Sequence, residues 1–154
     1  MKKLFGTDGV RGIANDTLTA SLALSLGECF ASGCQGEMVL VGTDTRSSSV
    51  PLSIATCEGI SAAGKRAVLL GVLPTGALAY LCRRHGAPGV MVSASHNPAE
   101  YNGIKFFDSL GEKLTDEAES ALEERFFGGD GAPRGCGFGV VEGNSELLTE
   151  SLLY

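Results

Sequence analysis

Positive charge is scarce in this chain. Its 154 residues hold 12 Lys and Arg against 18 Asp and Glu, a net charge of -6 with histidine neutral. That balance opposes nonspecific attraction to nucleic acid or to an anionic membrane, leaving only a local basic site open. Long apolar runs are missing too. No stretch approaches the ~20 residues needed to cross a bilayer, and the opening MKKLFGTDGVRG reaches glycine and charge too early for a secretory signal. A soluble, cytoplasmic protein is expected. Cysteine pairs are absent: Cys29, Cys34, Cys57, Cys82 and Cys136 are odd in number, widely spaced and contain no CxxC. The ligand spacings of zinc sites are therefore lacking, and reduced structural thiols are expected. The chain also has no Walker A loop, no GxGxxG fingerprint and no GxSxG elbow.

What is present is a regular alternation. The length is that of one ordinary domain, able to bury about two thirds of the surface exposed when unfolded. MVLVG (38–42), AVLLGV (67–72) and GVMV (89–92) are short, continuously apolar and end in glycine or a polar turn. Such runs suit strands covered on both faces. Helical patterns separate them, at Thr19 to about Ser32, Ser48–Ala63 and Thr75–His85, with Thr19 and Thr75 as plausible N-caps. NGIKFF (102–107) follows the third strand too closely for a helical crossover, and its Asn-Gly turn signal predicts an antiparallel fourth strand. A last amphipathic helix is expected over Thr115–Phe127. The reading is α/β: a three-layer domain with a mixed, mostly parallel sheet of about four strands, one of them antiparallel, and helices on both faces. Residues 128–139, GGDGAPRGCGFG, read as a mobile loop or linker. Residues 144–154 read as another helix whose apolar side lacks a partner, so that Leu147, Leu148, Leu152 and Leu153 could pair copies of the chain.

Ligands of open α/β sheets collect at the carboxyl ends of the strands. GTDTR (42–46) and SASHNP (93–98) fall there. In the second, Ser95 sits in a turn fixed by Pro98, His96 can donate to phosphate or sugar oxygens, and Asn97 can fix the turn through the backbone. The hexapeptide alone reads equally as a polar turn. Lys105 alternates with Ile104 and Phe106; if its face is the crevice it is partly desolvated and suited to proton transfer, and otherwise it guards an edge strand. FGTDGVRG (5–12) ends in Arg11, whose fork can grip phosphate, although alone it reads more simply as an N-terminal turn. In GTDTRSSS the simplest reading is a strand-to-helix junction, with Asp44 or a serine capping the helix and Arg46 paired to a carboxylate. His85 suits the carboxyl end of a helix.

Taken in order, FGTDGVRG, VGTDTRSSS, GVLPTGALAYLCRRHGAPGVMVSASHNPAEYNGIKFF and GEKLTDE resemble the first domain of the α-D-phosphohexomutases, over roughly residues 1–127. The resemblance implies that Ser95 carries a phosphoryl group and exchanges it with a sugar phosphate through a bisphosphate. The net reaction moves phosphate between O6 and O1 of a hexosamine, supplying cell-envelope precursors, with a glucose or mannose phosphate as the alternative substrate. It also implies Mg²⁺ on a phosphoserine oxygen of Ser95 and a hexosamine or hexose 1,6-bisphosphate as activator. Arg11 and Lys105 would form the cationic, proton-transferring side of the site, Asn97 would join them in binding substrate, and His96 would form a hydrogen-bonding wall. Members of the family are much longer, with metal-binding, sugar-reading and phosphate-clamping loops in later domains. Residues 1–154 are therefore expected to be a truncated first domain, inactive alone, whose 144–154 segment begins the connection to a missing second domain. A noncatalytic phosphate- or partner-binding module is the alternative from another class.

Overall fold

The continuous apolar runs become inner strands because both of their faces are covered. In chain order, the computed structural model, which describes residues 4–130 and 140–153, contains β1 (Val10–Ile13), α1 (Ala20–Ser32), β2 (Met38–Thr43), α2 (Ser49–Ala62), β3 (Arg66–Val72) and α3 (Thr75–His85). It continues with β4 (Gly89–Val92), β5 (Tyr101–Phe107), α4 (Asp116–Arg125), β6 (Val141–Gly143) and α5 (Ser145–Glu150). The strands form one sheet of order β1-β5-β4-β2-β3-β6. Only β5 runs against the rest, making antiparallel pairs with β1 and β4.

Alternate side chains of the inner strands enter two separate cores. Val39 and Val41 join Leu26, Phe30, Ile60 and Leu122 on the face covered by α1, α2 and α4. Leu40 and Val68 join Leu78, Leu81 and Cys82 beneath α3 on the other. Phe106 sits between Phe5 and Phe30, with ring centroids 5.8 and 4.7 Å away. The segment before β1 is tied to α4, because the amides of Leu4 and Phe5 donate to Glu123 Oε1 at 2.8 and 2.9 Å.

The sheet therefore has six strands rather than about four. The two additions are short edge strands in glycine-containing segments, too brief to show a pattern. Thr19 caps α1 as expected, accepting from the amide of Leu22, and Thr115, expected as the first residue of the last helix, caps α4 by accepting from the amide of Ala118. Thr75 does not cap α3: Pro74 holds the cap position, with no side-chain hydrogen bond. Asn102 and Gly103 are not a turn but lie inside β5, because the Asn102 amide is fully buried and bonded. Cys29, Cys57 and Cys82 are buried thiols outside any disulfide, and Cys34 is a half-buried one. Burial pushes the Cys34 thiol up to about 11 and those of Cys57 and Cys82 up to about 12. Cys136 and residues 131–139 of the glycine-rich stretch lie outside the described residues.

The tail is partnered more fully than its sequence suggests. After β6 pairs with β3, Leu147 and Leu148 pack against the α3-side core. Glu150 accepts from His85 Nε2 at 2.8 Å and pairs with Arg84. Thus His85 meets a carboxylate as well as its helix end. Leu152 remains 83% exposed, and the Leu153 side chain lies outside the described residues.

Helices α1 and α2 touch through glycine. A Cβ on Gly59 would stand 1.9 Å from the Leu24 carbonyl oxygen, a backbone atom that no rotamer change can move aside. The better helix propensity of alanine gives back at most about 1 kcal/mol, against an overpacking cost of about 1–3 kcal/mol or more. Gly59→Ala is therefore expected to destabilise the domain, lowering the calorimetric Tm by several degrees. A Tm equal to or above the parent's would contradict this packing.

Candidate active site

Strand order decides where the chemistry gathers. From the centre of the sheet the chain steps from β2 outward to β3, then returns past β2 to β4. The switch point therefore lies between the carboxyl ends of β2 and β4, where a crevice opens. Asp44, just beyond β2, donates its amide to the Val92 carbonyl at 3.1 Å. This brings GTDTR and SASHNP side by side.

Arg46 binds the two segments together. Its Nε donates to Asp44 Oδ2 at 3.1 Å. Its Nη1 donates to the carbonyls of Pro98 and Tyr101 at 2.6 and 3.1 Å, and its Nη2 to those of Ser95 and Asn97 at 3.0 and 2.6 Å. All five guanidinium N–H donors find an acceptor. The side chain is only 13% exposed. Its pairing with a carboxylate is the role expected from sequence; its grip on four loop carbonyls is not visible there. Asp44 does not cap α2 either. Its Oδ1 accepts from the Arg46 amide at 3.0 Å and from the Ser49 hydroxyl, and the capping residue Ser48 makes no side-chain cap bond. Burial pushes the Asp44 carboxyl up, but hydrogen bonds from Ser49, the Arg46 amide, Ser93 and the Arg46 side chain outweigh it and hold the group below the usual carboxylate range.

A second support comes from β5. Asn102 Nδ2 donates to the hydroxyls of Ser48 and Ser49 at 2.8 and 2.9 Å, while its Oδ1 accepts from the Gly103 amide at 2.8 Å. Gly103 lets the strands close up, since a Cβ there would lie 2.9 Å from the Ser93 carbonyl oxygen and 3.1 Å from Arg11 Cγ.

The supported loop places its serine in an uncommon conformation. Ser95 has φ 56°, the left-handed region rare for residues with a Cβ. Its amide donates to Ser93 Oγ at 3.0 Å, and its side chain is exposed. His96, also exposed, brings Nδ1 to 3.4 Å from Ser95 Oγ. Asn97 serves through its backbone, its amide donating to Ala94 O at 3.1 Å and its carbonyl accepting from Arg46.

Arg11 and Lys105 form a separate group on the same side of the sheet. Arg11 pairs with Gly103 across β1 and β5, and Lys105 lies two residues further along β5, opposite Met91. Both reach one atom: Asp8 Oδ2 accepts from Arg11 Nη2 and from Lys105 Nζ, each at 3.0 Å. Lys105 is 12% exposed and lies in a cleft of about 210 Å³ with Asp8, Thr75, Phe107 and Lys113. Asp8, Asn102 and Arg46 are the residues that sequence reasoning missed or undervalued. The larger cavity, about 440 Å³, lies among Gly33, Cys34, Pro88, Asp108 and Arg125, beside the amino ends of β2 and β4 and away from this chemistry.

No group of three or more His, Cys, Asp or Glu side chains among the described residues could hold a metal ion. Both aspartates of the site are already engaged, Asp8 by cations and Asp44 by Ser49 and Arg46. The residues present therefore do not make a Mg²⁺ site by themselves. No described helix is long and apolar enough to cross a membrane.

Fold and site together define a doubly wound α/β domain with an exposed serine hydroxyl beyond β4 and a separate cation cluster on β1 and β5. The chain belongs to the phosphoglucomutase/phosphomannomutase family, as its alpha/beta/alpha domain I, which matches residues 2–132. It is 50% identical to the phosphoglucosamine mutase of Clostridium botulinum strain Eklund 17B over 169 aligned positions, covering 100% of this chain and 38% of that enzyme. It is 49% identical to that of Clostridium beijerinckii over 147, covering 90% and 33%. Thus it spans about a third of the length of the curated relatives it matches. Among solved structures, a putative phosphomannomutase from Thermus thermophilus superposes with a TM-score of 0.80 at 32% identity, covering 91% of this chain and 32% of that one. A phosphoglucomutase/phosphomannomutase family protein from Burkholderia thailandensis gives 0.79 at 28%, with the same coverage.

Two outcomes test the loop's support. Lysine offers three donors on a point charge in place of five in a plane, so Arg46→Lys leaves loop carbonyls unmet and is expected to cost about 1–3 kcal/mol in urea unfolding. Asp44→Asn is also expected to destabilise. Because the folded carboxyl is depressed, its contribution is complete above the ordinary carboxylate pKa near 3.9 and vanishes as pH falls through the lower folded value. The stability gap between parent and Asp44→Asn should accordingly be constant at neutral pH and close in acid. A gap that widens in acid would refute the assignment.

Proposed function

We propose that this chain is the serine-bearing domain of a phosphoglucosamine mutase, interconverting glucosamine 6-phosphate and glucosamine 1-phosphate. The observation that carries the reading is Ser95, exposed and left-handed at the switch point, beside four carbonyls that turn back to one largely buried guanidinium. The identity of about 50% to phosphoglucosamine mutases supports the amino-sugar substrate.

In this reading a hexosamine or hexose 1,6-bisphosphate first phosphorylates Ser95. The phosphoserine then gives its phosphoryl group to the free hydroxyl of the sugar phosphate. The P–O bond to Ser95 breaks as the bond to the sugar oxygen forms, and the hydroxyl proton leaves to a group of the site. The resulting bisphosphate reorients and returns its other phosphate to Ser95, releasing the isomer. Arg11 and Lys105 bind and neutralise phosphate oxygens, Lys105 taking part in the proton's movement. His96 and Asn97 border the hydroxyl from within the loop. Arg46 touches neither phosphate nor sugar: it fixes the loop, which matters because phosphoryl transfer depends on alignment. When bound, Mg²⁺ neutralises charge on the transferring group. This chain would offer it the phosphoserine oxygen as one donor, and its described residues do not supply the remaining ligands.

The test uses the longer enzyme of which these residues form the first domain. After treatment with glucose 1,6-bisphosphate, peptide mass analysis should place one phosphate on Ser95, and Ser95→Ala should abolish turnover. Its kcat/KM should favour glucosamine 6-phosphate over glucose and mannose phosphates. Phosphate found only elsewhere, or full activity in Ser95→Ala, overturns the mechanism; a preference for a hexose phosphate overturns only the choice of sugar.

A further inference from the structure

The cluster at the amino-terminal turn holds a carboxylate where an anionic substrate is to bind. Arg11 Nη2 and Lys105 Nζ converge on the single oxygen Asp8 Oδ2 at 3.0 Å each. Lys113 reaches the same turn, its Nζ donating to the Thr7 carbonyl. Three cations thus approach one carboxylate, and Asp8, Lys105 and Lys113 line a cleft of about 210 Å³ together with Thr75 and Phe107. The partners are unequally held. Lys105 and Arg11 are 12% and 29% exposed, whereas Asp8 is 41% exposed, on a turn closed by a hydrogen bond from the Gly6 amide to the Gly9 carbonyl. The cations belong to the sheet and the carboxylate to a turn at its rim.

We infer that Asp8 is a resident counter-ion of the phosphate site, occupying the Arg11–Lys105 pair in the free domain and giving it up when a phosphate group enters. This rests on the proposed function only in placing Arg11 and Lys105 toward phosphate. The exchange follows from the chemistry of the acceptors. Asp8 meets both cations with one oxygen, whereas a phosphate group offers each an oxygen of its own and up to twice the charge. Pairs with an exposed partner are weak, so releasing Asp8 costs little. Without it, two cations, Lys105 largely buried and Arg11 partly exposed, would face each other across β1 and β5. Asp8 therefore keeps the empty site neutralised and sets how strongly an anion must bind to open it. A dianionic phosphate qualifies and a weakly charged competitor does not. Burial raises the Asp8 carboxyl while Lys105, Arg11 and Lys113 lower it, with a net depression. The counter-ion is accordingly charged at neutral pH.

The test titrates the 154-residue chain with inorganic phosphate, following the Arg11 Nε–H and Lys105 Nζ resonances by NMR. In the parent, the Asp8 carboxyl carbon should shift in step with them as phosphate displaces it. In Asp8→Asn the same two groups should bind phosphate about three- to thirtyfold more tightly, the equivalent of two weak ion pairs no longer broken. A purely structural role predicts the reverse, weaker binding through a loosened turn. Binding at Arg11 and Lys105 with no gain in Asp8→Asn, or an Asp8 carbon that stays still in the parent, overturns the counter-ion and leaves the mutase reading standing. If phosphate moves neither cation in either protein, the counter-ion falls together with their placement in the site. The parent's Asp8 signal decides even where the variant does not fold.

Discussion

The loop that carries Ser95 depends on one guanidinium. Arg46 spends all five of its donors holding two chain segments together, one on Asp44 and four on carbonyls between Ser95 and Tyr101. A loop so connected cannot shift one carbonyl without losing a charge-assisted bond, each stronger than a neutral one. The cost of holding Ser95 left-handed, of the order of 1–3 kcal/mol, is offset by bonds made on either side of it. The anchoring carboxylate is itself fixed by Ser49, which with Ser48 accepts from the buried amide of Asn102. The serine is thus positioned by three elements: β2 through Asp44, α2 through Ser48 and Ser49, and β5 through Asn102.

The reversed strand positions the cation cluster assigned above to the proposed site. Because β5 returns antiparallel between β1 and β4, Lys105 comes back alongside the strand that delivers the serine, and Arg11 is paired to the same strand from its other side. A parallel connection would have needed a helical crossover and carried the lysine away from the turn. Gly103 allows the three strands to meet without a side chain between the Ser93 carbonyl and Arg11. Strands β1, β5 and β4 thus stand side by side, with Arg11 and Lys105 on the first two and Ser95 in the loop that follows the third.

Much of this was legible in the sequence, for identifiable reasons. The inner strands declared themselves as unbroken apolar runs, since burial on both faces removes alternation. Thr19 capped where a hydroxyl residue precedes a helical pattern. SASHNP and Lys105 stood out because polar chemistry followed directly on buried strand. What stayed hidden was relational. Strand order, which places the switch point between β2 and β4, has no local signal. Arg46 read as an ordinary ion-pair partner because four of its acceptors are backbone atoms about 50 residues away. Asn102-Gly103 looked like a turn by residue type, yet one side chain bonds across to α2 and the other position needs none at all. Asp8 was hidden among turn formers, its role being set by two cations from other strands.

The central claim is that Ser95 is held ready by Arg46 before any phosphate is present. A high-resolution crystal structure of the unphosphorylated chain tests it most directly. The account predicts a single loop conformation, with Ser95 at positive φ and the Arg46 guanidinium ringed by the carbonyls of Ser95, Asn97, Pro98 and Tyr101. A loop in several conformations, or Ser95 at negative φ with Arg46 turned to solvent, would contradict it.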